Sequence, residues 1–394
     1  MWVYNSQERI RAWIVRGGTS KAVFFLKGDL PSDHTLKDKI ILEVFGSPDI
    51  RQINGLGAAH KQTSKAAIIG PPTKEGTDVD YTFGQVMLAK PTIDWGGNCG
   101  NISSAVGPFA IYSGLVEAKE PFTIVRIHQT NTDTVIVAKV PVGNGQVVVE
   151  GDYAIGGVPG TGAKIELDFS DSAGAILKRG LLPTGNVKDE VYVPELGKRY
   201  MVSVVDAANV VAHVLAEEVG ITGKETLESI EGNKKLNDEL ELLRGYIAQM
   251  AGIIKDRSKV DMRDIMNPFI HAVRVPITYP VTDKPEPVYD KGYDLYLRSF
   301  SRTFSKTIPG TGTVATSIAA KMPGTVVNEL LSEDAKSKER LIIGHAGGTI
   351  ESDCSLEKVN NQFVVKKATI YRTARILMEG YAFVRKSVLS GAKH

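Results

Sequence analysis

Cys99 lies in the run Gly96-Gly97-Asn98-Cys99-Gly100-Asn101, directly before a segment that places Ile102, Val106, Phe109 and Ala110 on one helical face. A thiol at a helix start meets unpaired backbone N–H groups and a partial positive charge. That setting favours the thiolate and makes the group usable as an acid or base. The competing reading is a small buried hydrophobe, the common fate of a lone cysteine. The flanking glycines and asparagines argue against an apolar burial site. Cys354, in Glu351-Ser352-Asp353-Cys354-Ser355, has no such setting and reads as structural. Lys65 follows Thr63-Ser64 and leads into the apolar run Ala66-Ala67-Ile68-Ile69. Taken alone it is an exposed lysine at a strand start. As a base it would need burial or neighbouring positive charge, for which Lys61 and Arg16 are the candidates.

A second glycine-led helix is expected from about Gly312 to Met322, opened by Gly310-Thr311-Gly312. Helix N-termini bind anions, carboxylates included, and glycine lets a ligand approach the backbone. Two such termini suit a substrate with two or three carboxylates, and the same donors can hold enolate-like charge. Gly310 to Ala315 fits G-x-G-x-x-A, but the preceding Ser301-Arg302-Thr303-Phe304-Ser305-Lys306 is a poor buried strand and no βαβ unit surrounds it, which excludes a dinucleotide site. Gly17-Gly18-Thr19-Ser20-Lys21 lacks the phosphate-loop spacing. The 7 histidines include no pair at i, i+4, so no metal site is expected.

The elements around these residues follow from pattern. Strands are expected at 9–16 and 21–26, joined by the turn Gly17-Gly18-Thr19-Ser20. A helix comes next, carrying Leu36, Ile40 and Val44 after capping candidates Ser32 and Asp33. Further strands are expected at 66–70, 79–88, 122–128, 134–141, 145–150 and 201–214, with a long helix at 225–253. Strands at 341–344, 362–371 and 380–385 close the chain. The 394 residues suit two domains. With 47 basic and 45 acidic side chains there is no excess charge for a nucleic-acid binder. The 2 cysteines are too few for a disulfide framework, and the 39 glycines exceed the usual share of about 7%. No apolar run approaches a membrane span and the charged N-terminus lacks a signal-peptide core, so a cytoplasmic protein with reduced thiols is expected. Homo-oligomerisation is compatible with this composition.

The two halves repeat one order. IVRGGTS matches VVDAANV, GGNCGNISSAVGPFA matches PGTGTVATSIAAKMPG, and IHQTNT matches GHAGGT. The order implies a duplicated domain, 1–182 and 183–394, with its site between the copies.

Arg16-Gly17-Gly18-Thr19-Ser20-Lys21, FGSPDIRQINGLG (45–57), Thr63-Ser64-Lys65, GGNCGNISSAVGPFAI (96–111), LPTGN (182–186) and KMPGTVVNE (321–329) together resemble the PrpF family, over nearly the whole chain. Blocks such as VPGTGA and RTARILMEGY are most similar to its methylitaconate isomerase branch. The resemblance implies an α/β (α+β), diaminopimelate-epimerase-like fold: two similar domains, each a β-sheet wrapped around a central helix. It also implies cofactor-independent catalysis on unsaturated di- or tricarboxylic acids. It assigns Lys65 and Cys99 as the acid/base pair. The substrate-contacting residues expected are Arg16, Thr19, Ser20, Ser64, Asn98, Gly100, Asn101, Lys306, Thr311 and Gly312.

Two departures from the family pattern touch the substrate. Ala58-Ala59-His60-Lys61 replaces a Gly-Ala-Asp-Pro stretch and adds cationic residues near Lys65. Ser305 stands where the family often has histidine, and Ala346 rather than proline follows His345. The expected reaction is a proton and double-bond shift through a dienolate. Rotation of that anion before reprotonation would give cis–trans isomerisation, and a related tautomerisation fits the same residues. A non-catalytic accessory to an aconitase-like enzyme is the reading from another class. A two-thiol racemase is disfavoured because the second glycine-led helix carries no cysteine.

Overall fold

The computed structural model describes residues 6–282, 285–360 and 362–390. Contacts divide the chain into two units that interleave in sequence. One is Met1–Tyr153, Gly160–Ile165 and Arg372–His394; the other is Ala154–Pro159 and Glu166–Tyr371. The expected boundary at 182 is therefore not where the contacts change, and the C-terminal strand joins the first unit rather than the second.

The first unit contains β1 (Gln7–Gly17), β2 (Ser20–Leu26), α1 (His34–Phe45), β3 (Lys65–Gly70), β4 (Val79–Val86), β5 (Ile93–Asp94), α2 (Gly100–Tyr112), β6 (Phe122–Gln129), β7 (Thr134–Gly143) and β8 (Gln146–Val147). A short β9 (Ile165–Asp168) follows. The second unit contains β10 (Asp189–Val193), β11 (Lys198–Ala207), β12 (Asn209–Leu215), α3 (Leu227–Gly232), α4 (Lys234–Met250), β13 (Phe269–Arg274), β14 (Leu295–Ser301), β15 (Thr303–Phe304) and α5 (Gly310–Lys321). It continues through α6 (Val326–Leu330), α7 (Glu333–Ser337), β16 (Arg340–His345), β17 (Gly348–Val359) and β18 (Gln362–Arg372). The last strand, β19 (Ala374–Arg385), pairs antiparallel with β1.

Both units have the same topology. In the first, β19, β1 and β2 run antiparallel, β2 pairs parallel with β3, β3 antiparallel with β4, β4 parallel with β6, and β6 antiparallel with β7. In the second, β10, β11 and β12 run antiparallel, β12 pairs parallel with β13, β13 antiparallel with β14, β14 parallel with β16, and β16 antiparallel with β17. Each parallel pair needs a crossover, and the second crossover of each unit carries its glycine-led helix, α2 or α5. The three sequence matches fall on equivalent places: the β1–β2 and β11–β12 turns, the two helix starts, and the ends of β6 and β16.

Every residue of α2 from Gly100 to Ile111 is buried, as is every residue of α5 from Gly310 to Ala320. Helices buried on all sides in this way form the centre of a core, and their polar residues are short Ser, Thr and Asn side chains. Within the first unit Phe109 of α2 meets Trp13 edge-on at 5.0 Å and Phe24 at 5.1 Å. The other side of that sheet is covered by α1, through Ile40, Ile41, Val44 and Phe45. In the second unit α4 covers β10 to β13 through the expected stripe, with Leu236, Leu240, Leu243 and Ile247 buried.

Several local expectations are revised. The run 201–214 is two strands, because Ala208 adopts φ 59° and turns the chain between them. The expected helix 225–253 breaks at Asn233, whose side chain caps the second piece by accepting from the Leu236 N–H. The strand expected at 145–150 shrinks to two residues. Strands β13 and β14 lacked a readable alternation because most of their residues are buried on both faces. No helix among the described residues is long and apolar enough to cross a membrane.

A buried polar chain anchors α5. The Ser203 carbonyl can only accept, so His213 bears its hydrogen on Nδ1 (3.2 Å). The Thr316 hydroxyl lies 3.1 Å from His213 Nε2 and 2.9 Å from the Gly312 carbonyl, and it accepts from His271 Nδ1 at 2.8 Å. Burial lowers both histidines, His213 to about 4. A histidine whose folded value is depressed stabilises the fold fully above its unfolded value near 6.5, and that contribution disappears as pH falls through the folded value. Stability measured by urea unfolding should therefore drop between pH 6.5 and 4, with His213 accounting for on the order of 3 kcal/mol. His213→Gln should show a shallower drop over the same range, and an equally steep one would exclude this source.

Candidate active site

The start of α2 is built by the glycine hairpin between β1 and β2. A Cβ on Gly17 would lie 2.4 Å from the Asn101 carbonyl oxygen, and one on Gly18 (φ 48°) would lie 2.2 Å from Asn101 Oδ1. Only glycine lets the hairpin press this closely on the first turn of the helix. The contact is then locked by side chains. Asn101 Nδ2 donates to Thr19 Oγ1 at 3.1 Å, while Asn101 Oδ1 accepts from the Thr19 N–H at 3.4 Å and from Arg372 Nε at 3.0 Å. Arg16 Nη1 donates to the carbonyls of Gly18 (3.0 Å) and Thr373 (2.9 Å). Burial, and then the neighbouring Arg375, lowers its pKa. Arg16 and Thr19 thus serve the scaffold directly, and Ser20 is buried at the hairpin's end opposite Gly17.

Cys99 is the N-cap of α2, in extended conformation, and caps nothing with its side chain. Its carbonyl accepts from the Ser103 N–H (2.9 Å) and hydroxyl (3.0 Å), and the Ser103 hydroxyl lies 3.2 Å from Asn98 Oδ1. The contrast with the other helices is informative. Helices α1, α3, α4, α6 and α7 each have a side-chain cap, from Asp33, Thr226, Asn233, Thr325 and Ser332. The two glycine-led helices, α2 behind Cys99 and α5 behind Pro309, have none. Their first-turn N–H groups are not claimed by a capping side chain.

Lys65 is the first residue of β3 and is buried. Its Nζ donates to Gln85 Oε1 at 2.7 Å and stands over the Phe83 ring, 5.1 Å from the centroid. Lys65 and Gln85 are register partners, and strand alternation puts Gln85, Phe83 and Tyr81 on one face of β4. Tyr81 is fully buried, and its phenol is raised well above the usual range by burial and then by charge on Cys99. Lys65 and Cys99 therefore share the α2-facing side of the sheet. Ala22, the parallel partner of Lys65, lies two residues from Ser20, at the end of the sheet where α2 begins.

The motif blocks that frame Lys65 are largely scaffold. Gln52, buried with φ 47°, accepts through Oε1 from the Ser64 hydroxyl (2.6 Å) and the Ala59 N–H (2.9 Å), and donates to Ser47 Oγ at 3.1 Å. Ser64 is thus a buried support for its neighbour. Asn131 of IHQTNT accepts the Phe83 N–H at 2.8 Å and donates to the carbonyls of Phe83 (2.8 Å) and Trp95 (2.6 Å), tying β4 to the approach to Cys99. The His60 side chain is exposed and its Nδ1 accepts from the Gln62 N–H, while the Lys61 carbonyl accepts from Gln85 Nε2 at 3.1 Å.

Sequence reasoning missed Arg372 and Gln85. Arg372 is buried at the α2 start; burial lowers it to about 10, with Tyr153 and Cys99 acting in the opposite direction. It remains a guanidinium at neutral pH. Its signal was absent because it lies 273 positions beyond Cys99 in the sequence, on the last turn of chain into β19. Gln85 left no local signal either, because only the register of β3 on β4 sets it opposite Lys65.

In the second unit, Thr311 Oγ1 accepts from Asn209 Nδ2 at 2.6 Å. A Cβ on Gly312 would meet His271 Cε1 at 2.7 Å, and Lys306 is half-buried just before α5. The His345 Nδ1 accepts from the Gly347 N–H at 3.1 Å. The Ser305 N–H donates to the Ser299 carbonyl at 2.9 Å. Among the described residues no group of three or more His, Cys, Asp or Glu side chains could hold a metal ion.

Gly18→Ala is expected to lower unfolding free energy by about 2 kcal/mol or more, since it adds a positive-φ penalty to a direct clash with Asn101. Gly28→Ala, with nothing within 4 Å of its Cβ, should stay within about 0.5 kcal/mol. Urea unfolding of the two variants separates the outcomes, and equal effects would remove the hairpin–helix contact as a constraint.

Comparison with known proteins agrees with this architecture. The family model described as PrpF protein matches residues 7–385. A 3-methylitaconate isomerase from Eubacterium barkeri is 42% identical over 386 residues, covering 98% of this chain and 100% of that protein. A 2-methyl-aconitate isomerase from Cupriavidus necator is 37% identical, covering 96% and 98%. The crystal structure of a methylitaconate-delta-isomerase superposes with a TM-score of 0.84 at 42% identity, covering 99% of both chains. A hydroxyproline epimerase from Agrobacterium vitis, 11% identical with a TM-score of 0.54 over 96% and 93%, shares the fold alone. The fold is thus diaminopimelate-epimerase-like. The chain is an isomerase, and it belongs to the PrpF protein family.

Proposed function

We propose that this isomerase moves a proton, and with it a double bond, in an unsaturated di- or tricarboxylic acid of the methylitaconate or methylaconitate type. The observation that carries the reading is the placement of Lys65 and Cys99 on one face of the first unit's sheet, beside a helix start that no side chain caps. One of the two removes a proton from a carbon joined through the double bond to a carboxylate. The electron pair left behind spreads over the allyl system into the carboxylate as a dienolate. The N–H groups of Gly100 and Asn101 and the macrodipole of α2 stabilise that charge. The other residue returns a proton at the far end of the allyl system, and the double bond has moved with no net change in atoms.

Arg372, a fixed positive charge at the same helix start, holds a substrate carboxylate together with Ser20 and Asn98. In the second unit, Lys306, Thr311 and Gly312 are the substrate-holding candidates. Relatives named as 3-methylitaconate isomerase and 2-methyl-aconitate isomerase support the polycarboxylate class. The unpaired thiols Cys99 and Cys354 support a reducing, cytoplasmic setting.

The test is proton NMR in heavy water with methylitaconate, 2-methylaconitate, cis-aconitate and oxalomesaconate. Deuterium should enter an allylic position as the double bond moves, and its entry with retained connectivity but changed geometry would indicate cis–trans isomerisation. Lys65→Ala and Cys99→Ser should each lower kcat by about a thousandfold while the fold is retained. Full turnover by Lys65→Ala would remove the lysine from the mechanism.

A further inference from the structure

Gln85 holds three groups at once. Its Nε2 donates to the carbonyls of Lys61 (3.1 Å) and Ser64 (3.0 Å), and its Oε1 accepts from Lys65 Nζ (2.7 Å). Carbonyls only accept, so the amide cannot flip: Nε2 must face the Thr63-Ser64-Lys65 turn and Oε1 must face the amine. The Phe83 ring face is the second neighbour of Nζ, and its negative quadrupole attracts an N–H rather than a lone pair. The lysine nitrogen has four tetrahedral positions. One is Cε and one N–H points at Gln85 Oε1, and the Phe83 ring face, 5.1 Å away, favours a second N–H on its side over the lone pair.

We propose that Gln85 and Phe83 are positioning residues that aim the remaining tetrahedral position of Lys65 Nζ at the substrate. In the neutral amine that position is the lone pair that takes a proton; in the ammonium it is the N–H that returns one. The same two contacts therefore orient Lys65 for either half of the reaction. Because Gln85 also grips the backbone on both sides of Thr63, the amine's direction is tied to the turn rather than to a flexible side chain. This inference rests on the proposed role of Lys65 in proton transfer.

The experiment is a double-mutant cycle with methylitaconate as the probe. Gln85→Met removes the acceptor and keeps the volume. It should lower kcat by about 10- to 100-fold with KM changed by less than about threefold. Lys65→Ala/Gln85→Met should be no slower than Lys65→Ala alone, because Gln85 acts only through the lysine. In protein labelled with ¹⁵N-lysine, the Nζ resonance absent from Lys65→Ala should shift in Gln85→Met. A kcat within twofold of the unmodified protein, or losses that multiply in the double variant, would overturn the proposal. Should Gln85→Met fail to fold, Phe83→Leu runs the same cycle with the same expected signs. If the unmodified protein turns over no methylitaconate, the cycle is run with whichever of 2-methylaconitate, cis-aconitate and oxalomesaconate it does turn over; if it turns over none, the substrate reading fails. The Nζ resonance then still decides the geometry, with an unmoved signal in Gln85→Met counting against it.

Discussion

A central helix whose first turn no side chain caps needs a neighbouring element to fix where it begins, and that constraint organises each unit of this protein. Both central helices begin without a side-chain cap. What holds each start in place is a hydrogen bond from the neighbouring hairpin to the helix's second residue: Thr19 with Asn101 in one unit, Asn209 with Thr311 in the other. The residue types are exchanged, with asparagine on the helix in one case and on the hairpin in the other, yet the bond is the same. The glycines of the first hairpin and the helices' own leading glycines allow the approach that this bond requires.

The two units share a topology but not a chemistry. The N-cap that is Cys99 in the first is Pro309 in the second. The residue that pairs in register with the third position of the second hairpin strand is Lys65 in the first and Phe269 in the second. A proline offers neither a thiol nor a donor, and a phenylalanine completes the core where the lysine would stand. Within one duplicated plan, the thiol and the amine at these two places of the first unit have no counterparts in the second. The second unit's helix start is stiffened by the His213, Thr316 and His271 chain.

Much of what the motifs spell out is support. Gln52 fixes the loop that delivers Ser64 and Lys65, Asn131 extends the ladder of β4, and Arg16 Nη1 bridges the Gly18 carbonyl of the hairpin and the Thr373 carbonyl before β19. Gln52 is buried and Arg16 and Asn131 are half-buried, so losing any of them leaves a partner group in the scaffold without its hydrogen bond. The helix-facing row of Tyr81, Phe83 and Gln85 shows how closely the scaffold is interwoven with Lys65 and Cys99. Each belongs to one strand face, yet the first senses Cys99 and the other two hold Lys65.

Sequence by itself determined the local chemistry. Glycine pairs, the Asn-Cys-Gly run and helical periodicity marked the helix starts, Cys99 and the repeated order of motifs, because turns, caps and stripes depend on residues close together in the chain. Strands buried on both faces carried no alternation, so β13 and β14 were invisible. The break at Asn233 looked like one continuous stripe. Tertiary structure alone decided that Arg372 reaches Asn101 from the far end of the chain, that β19 closes the first unit rather than the second, and that Gln85 faces Lys65. Each of these depends on strand register and chain crossing, which bring together residues whose separation in sequence leaves no local pattern to read.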